Sequence, residues 1–220
     1  MKKLIVSSAL LATVLVSAQI DFSSTRYGIT AGGTYSRVTN AHSPSGARYS
    51  GFGGFLALIP IDSNDQFYIQ PQIEYLGAGE SGKDKEAKGK NGYDAVYANN
   101  YISVPIYFKG FFSEAESEFF AMAGPRFSYL INQKVTDAPL RYTVEGDPAT
   151  GINGKAASFN FGLSFGLGFS FKRQLELAVR YDLGLTDTYK GLKADLGADP
   201  NSAKNKSEQI ISVGLSYILQ

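Results

Sequence analysis

Six charged side chains sit where their neighbours predict burial. Glu74, Lys109, Arg126, Glu176, Arg180 and Asp182 alternate with bulky apolar residues, as in Leu175-Glu176-Leu177-Ala178-Val179-Arg180-Tyr181-Asp182. Carboxylates and cations in this pattern can relay protons, line an ion path, or neutralise one another in a buried network. Burial costs far less when each charge has a partner. The expected sets are Glu74–Arg126 and Arg180–Asp182, at middle to outer depths. Lys109 and Glu176 are expected nearer the opposite, inner end. The network is expected to plug an interior, with conduction or proton passage as the alternative.

Other chemistry has little support. The one His is His42, in the first predicted connection, and there is no Cys. That combination disfavours catalytic zinc and thiol sites. Asp62-Ser63-Asn64-Asp65 is shorter than a calcium loop and lacks its closing Glu. Gly151-Ile152-Asn153-Gly154-Lys155 is Gly-rich, but no Ser or Thr follows the Lys and the P-loop spacing is absent. No nucleophile–base set is evident, so no catalytic, cofactor or metal site is expected, and the chain reads as a non-enzyme.

The charges need strands to position them. Phe159 to Phe171 reads F-N-F-G-L-S-F-G-L-G-F-S-F, with every odd position large and apolar and every even one Asn, Gly or Ser. Period-two segments of this kind predict strands near 26–38, 49–60, 66–77, 100–109, 118–130, 159–171, 175–185 and 207–219. Connections after the first, third, fifth and seventh are longer than those after the second, fourth and sixth. An even count with alternating loop lengths predicts an all-β fold, an eight-stranded antiparallel up-and-down transmembrane β-barrel. Lipid would face the apolar rows, and small and polar side chains would fill the interior. A soluble barrel and a two-sheet sandwich are the alternatives. Tyr27, Tyr35, Tyr75, Tyr101, Phe108, Phe119, Tyr129, Phe159, Phe171 and Tyr217 fall toward strand ends, as interfacial girdles require.

Met1-Lys2-Lys3, an apolar run to Val16 and the small pair Ser17-Ala18 predict a signal peptide over 1–18. The barrel domain is then 19–220. Loss of Lys2 and Lys3 lowers Lys+Arg from 21 to 19, against 20 acidic residues. No basic surplus points to nucleic acid. Past the leader, no apolar run is long enough for a spanning helix.

The chain resembles the PorT-like outer-membrane β-barrel proteins of Bacteroidota, a porin-like group. Tyr27-Gly28-Ile29-Thr30-Ala31-Gly32, Ser50-Gly51-Phe52-Gly53-Gly54-Phe55, Ile69-Gln70-Pro71-Gln72-Ile73-Glu74-Tyr75, Tyr101-Ile102-Ser103-Val104-Pro105-Ile106-Tyr107, Ala123-Gly124-Pro125-Arg126 and Leu175 to Tyr181 carry it. The resemblance implies the outer membrane of a Gram-negative cell and, through the name-giving member, a link to secretion. The expected partners are outer-membrane lipid and an envelope or secretion protein. The latter would meet the loops 79–99, 131–155 and 186–205. The barrel is expected as a monomer, with a small-solute channel as the alternative function.

Overall fold

A computed structural model describes residues 22–139, 153–192 and 201–219. The leader expected at 1–18 lies outside them, as do parts of the expected loops 131–155 and 186–205. Eight strands follow in order: β1 (Arg26–Val38), β2 (Gly46–Pro60), β3 (Phe67–Ser81), β4 (Val96–Phe111), β5 (Glu118–Thr136), β6 (Phe159–Phe171), β7 (Leu175–Gly184) and β8 (Glu208–Ile218). Each pairs antiparallel with the next, and β8 pairs with β1, so the barrel is closed. Closure leaves no strand edge within the wall, the condition hydrocarbon imposes on a spanning sheet.

Alternation decides which way the faces point. Leu167 is 64% exposed and Phe119 62%, whereas Lys109 and Ser164 are fully buried. This inverts the pattern of a soluble protein. The apolar rows therefore form the outer surface, and the soluble-barrel and sandwich alternatives fail. Tyr101 departs from the expected girdle: it is fully buried and faces the lumen, on the same parity as Ser103 and Tyr107.

The interior is also more apolar than expected. The two faces of β2 are hard to tell apart in sequence because both are greasy, and Phe52, Leu56 and Leu58 turn inward. Leu56 and Leu58 join Tyr68, Tyr107, Phe111, Phe120, Met122 and Ile218 in one cluster toward the short-turn end. Phe52, Leu76, Ala78, Tyr101 and Ile210 form a second, further out. Small residues on other strands make room for these rings. Phe52 lies against Gly32 and Gly214, and Phe120 against Gly168. The space in front of β6 from Ser164 to Gly168 is thus taken by Phe120, Met122, Tyr107 and Arg180.

β2 to β5 run further outward than the apolar rows indicate. β3 continues to Ser81 and β4 begins at Val96, joined by pairs such as Glu80↔Tyr97. β5 continues to Thr136 opposite Val96. The first outer connection shrinks to 39–45, and much of the expected loop 79–99 is strand. Polar residues hold these extensions because the ladder bonds are made by backbone, which does not depend on an apolar row.

Candidate functional site

All six charged residues point into the lumen and are buried. β4 and β7 bring one pair together near the short-turn end. Lys109 Nζ donates to both oxygens of Glu176, 2.6 Å each, with its ammonium 4.0 Å from the centre of the Phe120 ring. Phe111 flanks it at 5.0 Å. Apolar rings thus exclude water around a charge-assisted bond, which strengthens the pair while making the loss of either partner costly.

A second pair crosses the middle of the lumen. Arg180 Nη1 donates to Glu74 Oε2 at 3.1 Å, Gln72 Oε1 at 3.2 Å and the Tyr107 hydroxyl at 3.2 Å. Its guanidinium lies 4.2 Å from the centre of the Phe52 ring. The expected pairing is therefore corrected: Glu74 is bound by Arg180, not Arg126, and Arg180 does not take Asp182. Same-face neighbours on one strand stand about 6–7 Å apart and project in parallel, so Arg180 and Asp182 reach into different layers. Arg126 instead donates to Ser128 Oγ at 3.1 Å, which donates to Ser103 Oγ at 3.2 Å. Asp182 is buried, and its Oδ1 has no hydrogen-bond partner among the described residues.

Arg126 faces Gly162, which faces Gly184, which abuts the backbone of Glu208. Two absent side chains thus open a path along the wall from Arg126 to Glu208. Glu208 is buried and accepts from the Tyr101 hydroxyl at 3.4 Å. It was absent from the expected network, although its parity with Ser212 and Gly214 marks it as inward. Between the two ion pairs, the cleft lined by Gln70, Phe52, Phe120 and Met122 is about 10 Å³, room for a single water.

Both ends of the lumen are covered. On the outer side His42 is buried, not solvated as its loop position suggests. Its Nδ1 lies 2.5 Å from Glu80 Oε1, and Ser45 Oγ donates to Glu80 Oε2 at 2.5 Å. The imidazole stacks on Tyr97 with centroids 3.6 Å apart, and Tyr189 meets it edge-on at 5.2 Å. Asn99 donates to the Tyr189 hydroxyl at 2.9 Å. Burial, reinforced by the Glu80 charge, holds the Tyr189 phenol well above its ordinary range, so it stays neutral. Glu80 thereby clamps the β1–β2 connection onto β3, and Tyr189 brings the β7–β8 connection over both.

On the short-turn side Arg173 does the equivalent work. It donates to Ala115 O at 3.2 Å, Asp65 O at 2.7 Å and Ser113 O at 3.2 Å, and it pairs with Glu118. Its guanidinium lies 3.8 Å from the centre of the Phe111 ring. One side chain thus ties all three short turns together. In sequence it is only the middle of Lys172-Arg173-Gln174, and a turn residue carries no periodic signal of its contacts. Among the described residues, no group of three or more His, Asp or Glu is placed to hold a metal.

A family model described as outer membrane protein beta-barrel domain matches residues 17–190. Similar solved structures include the outer membrane protein OprG from Pseudomonas aeruginosa, with TM-score 0.46, 9% identity, and 93% of this chain and 99% of that one covered. Ail, the attachment invasion locus protein of Yersinia pestis, gives TM-score 0.42 and 8% identity over 88% and 98%. The outer membrane enzyme PagL gives 0.43 and 13% over 86% and 98%. No curated protein sequence matches the chain.

Proposed function

Because the chain belongs to the outer membrane protein beta-barrel domain family, we propose that it is a non-enzymatic, monomeric barrel with a plugged interior that works through its outer surface. The role is envelope structure, partner binding or secretion support, the last being what the PorT-like resemblance implies. The observation that carries this reading is the Arg180–Glu74 pair, held against Phe52 across the middle of the lumen. Arg180 is anchored on β7 and Glu74 on β3, so each bond between them spans the conduit. The Lys109–Glu176 pair and its rings seal a second layer in series. With eight strands the interior is only wide enough for side chains to fill, and these side chains fill it.

The plug separates this reading from a small-solute channel. Reconstituted protein should show no steady openings in planar bilayers, and large sustained conductance would favour the channel. Affinity capture from envelopes should recover a partner that is lost when residues 85–91 or 201–205 are removed. Recovery unchanged by both deletions would refute action through these loops.

A further inference from the structure

The lipid-facing wall is dented on the half nearer the short turns. Gly110 on β4 and Ala121 and Ala123 on β5 lie side by side there, because Gly110 pairs with Ala121 and Phe108 with Ala123. Phe67 and Phe108, stacked with centroids 5.7 Å apart, stand on one side of these small residues. Phe165 and Leu167 stand on the other. The result is a groove of about 970 Å³ that reaches across to Val179 on β7. Four strand spacings of about 4.8 Å, from β3 to β7, make it roughly 19 Å long. Toward the short turns Phe119 and Phe169, edge to face at 5.1 Å, form its rim. On β7 the same side of the groove holds the smaller Leu177 and Leu175, so the rim is lower there.

The turn between β6 and β7 lies beyond that low rim. Gln174 N donates to Phe171 O at 3.1 Å, and the central residues Lys172 and Arg173 have φ of 52° and 54°. A turn of this shape favours Asn-Gly. Two long cations in its place mark a turn kept for its side chains. Arg173 ties the short turns together. Lys172 lies on the lipid side, its Nζ 5.5 Å from the centre of the Phe171 ring, which is exposed on the outer wall. Lys172, Glu116, Gln174 and Leu219 line one pocket of about 260 Å³. From Gln174 up β7 to Val179 is about 17 Å.

We propose that this wall binds one ethanolamine phospholipid of the adjoining leaflet. An acyl chain lies in the groove, the phosphate meets Lys172 and the ammonium meets Glu116. Small-molecule sites are mostly apolar hollows with a few polar groups placed to fix orientation, and here those groups sit at one end. One cation and one carboxylate in the same pocket complement a headgroup that carries both signs. A flexible chain can follow the floor past Ala121. A second barrel is convex toward this wall and would rest on the phenylalanine rims without reaching the floor. The site is at the end opposite the outer loops and is independent of their role.

The test is native mass spectrometry of the full chain in detergent micelles with added dipalmitoyl phosphatidylethanolamine. One lipid per barrel should be retained. Ala121→Phe fills the groove and should weaken retention at least about tenfold, whereas Ala57→Phe, in the outward row of β2, should leave it unchanged. With the parent protein, dipalmitoylglycerol, which lacks both phosphate and amine, should bind at least about tenfold more weakly, a comparison that needs no variant. Lys172→Gln should erase that preference. Undiminished retention by Ala121→Phe would overturn the groove, and equal binding of dipalmitoylglycerol would overturn the headgroup site. Several lipids held without preference would reduce the site to a general lipid coat, and a dimer that excludes the lipid would assign the face to a second copy. Either result would overturn the proposal.

Discussion

Lys109 and Glu176 show why a buried pair is conditional on both members. The ammonium holds both carboxylate oxygens at 2.6 Å among Phe111, Phe120 and the barrel wall. Glu176→Gln leaves a full positive charge in that ring of apolar side chains. It should cost about 3–5 kcal/mol, read by urea unfolding in detergent micelles followed by circular dichroism. The double change Lys109→Met with Glu176→Leu should return within about 1 kcal/mol of the parent or exceed it. A single variant that unfolds like the parent would show that the pair does not carry this energy. The inward placement of all six charges was legible because side-chain direction in a strand is local, with period two. Their partners were not. Arg180 meets Glu74 across the lumen, and nothing in the spacing along one strand reveals which distant strand lies opposite.

β6 owes its small face to what opposes it. At Gly168 an added Cβ would meet the Phe120 ring and come 2.6 Å from the Leu177 carbonyl oxygen. At Gly166 it would meet only side chains, with Met122 Cε nearest at 2.6 Å. Aromatic rings and backbone yield poorly, whereas Met adapts readily. Gly168→Ala should therefore destabilise by about 1–3 kcal/mol and Gly166→Ala by less than about 1 kcal/mol in the same unfolding assay. Phe120→Ala should recover part of the Gly168→Ala loss in a double-mutant cycle. Equal costs at the two glycines would contradict this account. β1 and β6 have the bounds their alternation predicts. β3 to β5 overrun theirs because neighbouring backbones, not apolar side chains, sustain their outer ends.

On the proposed reading of a plugged interior, the seals of the barrel act in series. Arg173 closes the short-turn end, two ion pairs with their rings fill the body, and the His42–Glu80 clamp with Tyr189 covers the outer mouth. Removing both covers through Arg173→Ala and His42→Ala should leave the protein non-conducting in planar bilayers, because the body remains filled. Hydrogen exchange should rise at the turns and at 187–192. Conductance in that double variant would place the seal in the covers. Alternation, the strand count and the alternating connection lengths were enough to establish a membrane barrel and the inward parity of its charges. These are properties of a chain read a few residues at a time. The choice of Glu74 for Arg180, the burial of His42 and the reach of Arg173 over three turns arise only when eight strands close. Each depends on residues far apart in sequence being brought face to face, and shear and register set that proximity.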